Sequence, residues 1–437
     1  MSKSNQIWSF FSSVKLAIFT ISTIALTSVI GTLVLQQKPD DYYISRYGEA
    51  TARFFQILDI PDMYGSWWFL GLLGLLCVNL IICSIDRFPA VWKQITMDQT
   101  SFKVDRLRKM AFAESIPTST HLSHDDTISL LKKRGYNVTR KETDNGYLVA
   151  GQKGGWSRTG VYVVHLSILV IFLGAIVGHF TGFKGSVMIP ETKKTARIFN
   201  SKSSEAIDLG FEVRCDLFEI EFYDNGMPKE YLSRLTILED GKEILSKDIE
   251  VNAPLKHRGI TFYQSSYEGY RDFIITFADG SGKMVKQFPA PFQQQVEWNE
   301  KGLVFGVVNA EAIRDRVVRM KLWIKSDANE PVVQWLKNGE EMTFDLNGSP
   351  VTITTKQMYA TGLQVAKDPG VWIVYLGCLL MMAGLYAAFF LSHRRVWIFF
   401  SKDNSETLLL SGTANKNKIG FEKSFQELKA AIRKEIN

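Results

Sequence analysis

Long unbroken apolar runs alternate along this chain with stretches in which polar and apolar residues exchange every second position. Four runs approach the roughly 20 apolar residues needed to cross a bilayer's hydrocarbon core: Val14–Leu35, Ser66–Ser84, Val161–His179 and Val371–Leu391. They divide the chain into a polar lead over 1–13, spans over 14–35, 66–84, 161–179 and 371–391, loops over 36–65 and 85–160, a large region over 180–370 and a tail over 392–437. The first run is longer than a signal-peptide core and no small-x-small cleavage site follows it, so it reads as a retained anchor.

The polar regions carry their own periods. Within 180–370, runs such as RLTILED-GKEILSKDIEV and RVVRMKLWIKS alternate apolar with polar positions and are broken by Asp-Gly, Gly-Ser or Asn-Gly turns. That pattern predicts an antiparallel sheet domain with one face in and one out. Within 85–160, Asp125-Asp126 open the helical stretch ISLLKKRG. YNVTRKE and YLVAGQKG follow as strands, joined by the hairpin signal Asp144-Asn145-Gly146. The tail closes with GFEKSFQELKAAIRKEIN, which places Phe421, Phe425, Leu428 and Ile432 on one face of an amphipathic helix. Such a helix packs on the 85–160 module or lies on the membrane surface. Loop 41–69 is dense in Tyr, Phe and Trp, which suits an interfacial aromatic belt or a stacking platform for a flat apolar ligand.

Charge orients the spans. Segment 36–65 holds three Lys/Arg against five Asp/Glu, segment 85–158 holds thirteen against eight, and the tail holds nine against five. The positive-inside rule then assigns both termini and the 85–160 loop to the cytoplasm and leaves 180–370 outside. The expected fold is an integral membrane protein with four transmembrane α-helices, a large extracytoplasmic antiparallel β-rich domain and a small cytoplasmic α+β loop module. The net charge of +6 is a sum over two compartments, and no basic stretch is interleaved with aromatics as a nucleic-acid groove requires.

Candidate chemistry is sparse. No G-x-S-x-G, H-E-x-x-H or phosphate-binding glycine loop occurs. Of the four cysteines only Cys215 lies outside the apolar runs, so neither a disulfide framework nor a dithiol pair is available there. His121 and His124 have no third ligand beside them, and His257 reads as a surface residue. His165, in the first third of the third run, is the residue that stands apart. An ionisable side chain within a span either packs against a neighbouring helix or serves a cofactor or a proton path. His179 lies 14 positions on, roughly 21 Å along a helix axis, so the two cannot share one metal. His393 reads as part of the basic flank with Arg394 and Arg395.

Several stretches in this order carry a family likeness: FFSSVKLAIFTIS with IGT near the end of its span, DMYGSWWFLGLLGLLCVNLIICSIDRFP, GWSRTGVYVVHLSILVIFLGAIVG, ITFYQSSY, and DPGVWIVYLGCLLMMAGLYAAFF before basic residues. The chain resembles the ResB/CcsB family of cytochrome c biogenesis proteins over nearly its whole length. That resemblance implies a non-catalytic subunit of the system II cytochrome c synthase complex, which delivers haem across the membrane and presents apocytochrome c for covalent attachment. It also implies His165 as an axial ligand to haem iron, with haem b as transient cargo. The implied partners are a tryptophan-rich ResC/CcsA-type membrane protein, apocytochrome c and separate thiol reductant proteins. The implied site is a bacterial plasma membrane or a thylakoid. A membrane receptor or sensor, in which His165 merely packs, is the competing class; a self-sufficient transporter fits less well, since no internal repeat is visible.

Overall fold

The computed structural model describes residues 3–117, 123–201, 203–223, 227–313, 316–327, 330–346, 348–402 and 407–436. The chain forms two compact units, one of Met1–Gly174 with Trp372–Asn437 and one of Ala175–Val371. Four helices are long and apolar enough to cross a membrane: Val14–Leu33, Trp67–Thr96, Gly160–Thr181 and Val371–Phe389.

Side chains set the ends of the first two. Ser13 caps the first span by accepting from Lys15 N, and Asn79 Nδ2 donates to Phe11 O at 2.6 Å and Ser13 O at 3.1 Å. That amide anchors the turn between the short helix Lys3–Phe11 and the span. The second span begins at a Ser66 cap and runs to Thr96, twelve residues past Ser84, where the apolar run ends. The apolar run stops at Ser84, but the helix continues past Pro89, whose missing N–H removes one bond from the ladder. Between these spans the aromatic loop folds into helices Asp40–Tyr47 and Glu49–Ile57 and a 3-10 turn, Ile60–Gly65. Tyr43 is fully buried there and its hydroxyl donates to Leu35 O at 2.6 Å, so part of this aromatic density is core.

The third and fourth spans meet through small residues. Gly160, Ser167 and Gly174 recur every seventh position of the third span and are buried; Gly377, Gly384 and Ala388, spaced seven and four apart, are buried on the fourth. A Cβ on Gly384 would sit 2.9 Å from Val164 N, and one on Gly160 would sit 2.6 Å from Ala388 N. Backbones this close gain dispersion contacts where lipid provides no hydrophobic drive between helices.

The 85–160 loop and the tail build one sheet. Its order is Phe112–Pro117, Thr407–Ala414, Arg394–Ser401, Gly146–Lys153, Asn137–Thr143, all antiparallel. The two tail strands were not foreseen, and they take inner places in the sheet. One face is covered by helices His124–Lys133 and Lys418–Ile436, with Phe421, Phe425, Leu428 and Ile432 at most 1% exposed. The tail helix therefore packs on the module. The other face buries Leu148, Trp397 and Leu107, and the Trp397 indole donates to Gln99 O at 2.7 Å.

The second unit is all antiparallel β. Its larger sheet runs Met284–Ala290, Ile260–Ala278, Ser349–Lys367, Phe183–Pro190, Lys194–Asn200, Ala206–Phe222, Pro228–Glu239, Lys242–Ile249. A second sheet joins Val296–Trp298, Leu303–Ile313, Arg316–Ser326 and Val332–Lys337. The two 19-residue strands each serve two cores. Phe262 and Val365 belong to one, Phe277 and Ile353 to the other, and the pairing slips between Gly269 and Phe273 where the ladder passes from one to the other. The Asp240-Gly241 turn has positive φ at both residues, the twist a tight hairpin demands.

Candidate functional site

His165 lies on the third span facing the second. Its Nδ1 is 2.9 Å from Ser84 Oγ, and the Ser84 hydroxyl is also 2.6 Å from Leu80 O, one turn earlier in its own helix. A hydroxyl has one proton. Given to the carbonyl, it leaves Oγ as the acceptor toward the ring, so Nδ1 carries the hydrogen. The Nε2 lone pair then points away from this bond with no partner among the described residues. An imidazole whose outer nitrogen is tied and whose Nε2 is free is the arrangement by which proteins present histidine to a metal.

The surroundings are aromatic. Tyr162 meets the His165 ring edge-on at 6.1 Å, Phe88 meets Tyr162 at 5.2 Å, Trp92 follows Phe88 at 5.8 Å, and Trp156 follows Trp92 at 5.5 Å. Ser84, Phe88 and Trp92 stand four apart on the second span; Tyr162 and His165 stand three apart on the third, with Arg158 in the 3-10 turn before it. The two stripes form a seam leading from His165 to the turn Gly155–Thr159.

At that turn Gly154 has φ +69°, and a Cβ there would meet Ser392 O at 2.6 Å, so only glycine passes the chain from strand to helix. Arg158 Nε donates to His393 Nδ1 at 2.8 Å and its Nη1 to Gln94 Oε1 at 2.8 Å. His393 is not a surface flank residue as its basic neighbours suggested; it is 1% exposed, and its Nε2 is buried without a partner. Burial, with help from Arg158 and Arg395, holds its pKa down at about 4, so the ring stays neutral and can accept from Arg158.

The remaining candidates separate from this site. His179 is exposed at the far end of the third span, edge-on to Phe180. His257 is not a free surface residue: it pairs with Glu239 Oε1 at 2.8 Å and packs on Phe211. His124 stacks on Tyr147 at 4.1 Å, and His121 lies outside the described residues. Cys215 is fully buried, and burial pushes its thiol well above the usual range, which makes it inert. Among the described residues no three His, Cys, Asp or Glu side chains gather as a metal site.

Sequence reasoning found His165 but missed Ser84 and Arg158. The four-residue spacing of Ser84, Phe88 and Trp92 was the available signal.

The sequence is similar to those of known proteins. The chain is 29% identical to the cytochrome c biogenesis protein Ccs1 of Rhodomonas salina, over 95% of this chain and 94% of that one. It is 28% identical to the cytochrome c biogenesis protein CcsB of Gloeobacter violaceus, over 98% and 91%, and 29% identical to that of Microcystis aeruginosa, over 94% and 91%. A model of the ResB-like family matches residues 14–334 and 306–426, and the chain belongs to that family.

Proposed function

We propose that this protein is a membrane subunit of a cytochrome c maturation complex, and that it holds haem in transit through one axial bond from His165. The observation that carries the reading is the free Nε2 of His165, fixed in its tautomer by Ser84. Histidine is a usual axial ligand of haem iron, and the protein's levers on it are burial and hydrogen bonding to the outer nitrogen. With a single ligand on this chain, the second comes from a neighbouring subunit, for which a ResC/CcsA-type membrane protein is the fitting class. The relatives' names support the cytochrome c pathway.

In this reading both termini and the sheet module lie in the cytoplasm of a bacterial plasma or thylakoid membrane, as the excess of basic residues in 85–158 favours. The β unit lies outside and holds apocytochrome c near the emerging haem. The strand Lys242–Ile249, at one edge of the larger sheet and exposed along most of its length, offers a peptide main-chain pairing. Thioether formation uses haem vinyl groups and the substrate's own thiols, reduced by separate proteins. This chain contributes position rather than a catalytic group.

The test is an absorption spectrum of the detergent-purified protein co-expressed with its ResC/CcsA-type partner. A haem Soret band in wild type that is lost in His165→Ala and returns with added imidazole is the expected result. Equal haem in both proteins returns His165 to a packing role.

A further inference from the structure

Near the seam beside His165 stands a charge that no carboxylate among the described residues balances. Arg158 makes no ion pair among the described residues; its two hydrogen bonds go to the neutral acceptors His393 and Gln94, and its Nη2 has no partner there. A second guanidinium, Arg395, lies near enough to influence His393 and is likewise unpaired by a carboxylate, resting against Phe102 and Trp397 with a bond to Gln99 Oε1. A half-buried cation is costly unless an anion compensates it. Here the buried Nδ1 of His393 fixes Arg158 at its Nε and Gln94 takes one hydrogen of Nη1, which leaves Nη2 as the part of the fork's outer edge without a partner among the described residues. Bidentate recognition of a carboxylate or phosphate uses such an edge.

Position selects between possible anions. Arg158 precedes His165 by seven residues and lies in the 3-10 turn that leads into the span, so it sits on the order of 10 Å from His165 along the chain's course, toward the Gly155–Thr159 end. Tyr162, Phe88 and Trp92 touch in series leading away from His165. An iron-binding nitrogen at one end, π faces along the middle and an uncompensated guanidinium at the other suit a flat apolar macrocycle with an anionic edge.

Resting on the reading of His165 as a haem ligand, we propose that Arg158, positioned by His393, binds the propionate edge of the haem held at His165, with Tyr162, Phe88 and Trp92 along its face. The haem is then oriented with its carboxylates toward the Gly155–Thr159 turn.

The test titrates haem and haem dimethyl ester, whose propionates carry no charge, into the full-length protein with its ResC/CcsA-type partner, purified from haem-deficient cells. Wild type, Arg158→Gln, Arg158→Lys and His165→Ala are compared. Losing a charge-assisted bond predicts roughly tenfold or more weaker haem binding by Arg158→Gln, partial recovery in Arg158→Lys, and no difference between wild type and Arg158→Gln for the ester. Weakening that is equal for haem and ester overturns the proposal and leaves the guanidinium to a lipid headgroup or to the fold, while the His165 reading survives. Unchanged haem binding by Arg158→Gln overturns it in the same way. Wild type that binds neither compound, or His165→Ala that binds haem as wild type does, removes the His165 reading and the proposal together.

Discussion

The third span presents two unlike faces. Gly160, Ser167 and Gly174 meet the fourth span backbone to backbone, whereas Tyr162 and His165, roughly 140–200° around the helix, meet the second span through rings and one hydrogen bond. On the first face nothing is left over once the helices touch. On the second, packing leaves a nitrogen lone pair and, in the 3-10 turn before the helix, part of a guanidinium without partners among the described residues. In one helix the closed face packs against its neighbour and the open face is the one on which the proposed haem site lies.

Closing the open face or opening the closed one breaks this contrast. The largest effect belongs to Gly384→Leu, because the new side chain must displace Val164 main chain rather than a flexible side chain. Overpacking of a tight core costs about 1–3 kcal/mol and more when backbone must move, so its thermal unfolding midpoint in detergent falls well below that of Gly384→Ala. An unchanged midpoint means that the two spans do not pack through this glycine. Next comes Ser84→Ala, which removes the acceptor of the Nδ1 proton without touching the free Nε2 that the proposed haem site uses. Loss of such a supporting bond weakens metal binding by roughly 10–100-fold, and Ser84→Thr retains most of the affinity in the same haem titration. Equal affinity for all three proteins would mean the tautomer is set by something other than Ser84.

The smallest effect is a response to acid. His393 in the unfolded chain takes up a proton near 6.5, whereas in the folded protein it stays neutral down to about 4. Between these values the unfolded state binds more protons, so stability falls as pH drops through the window and is unaffected above it. The midpoint of the full-length protein is expected to fall from pH 7 to pH 5, and less steeply in His393→Gln, which keeps a neutral acceptor for Arg158 but does not titrate. Parallel pH slopes in the two proteins would remove His393 as the source.

How far the sequence carried depends on the range over which each feature is encoded. Spans are local: an apolar run of sufficient length has few other fates. The β unit was legible for a similar reason, since alternation and Asp-Gly turns are short-range signals. Strand Arg394–Ser401 was hidden because VWIFF follows two arginines at the end of a span and resembles interfacial residues, while its partner strand Gly146–Lys153 lies on the far side of the whole β unit. His393 was misplaced by the same gap: its neighbours in sequence are basic, but the groups that enclose it, Arg158 and Gly155, come from the third span's first turn. His165 needed no long-range information to be noticed. Its orientation did, because Ser84 reaches it only once two helices have met.

The sheet of the first unit also imposes an order on biosynthesis. When a ribosome has completed the strands Asn137–Thr143 and Gly146–Lys153, the second of them has a bare edge, and its neighbour Arg394–Ser401 is still encoded beyond the whole β unit and the fourth span. An unpaired apolar edge is a template for aggregation and a target for chaperones and proteases. It is covered only when the last span has been made and the tail emerges. Closure of this sheet therefore reports that translation has passed through all four spans, and a polypeptide released early carries an open edge by which the cell can recognise it as unfinished.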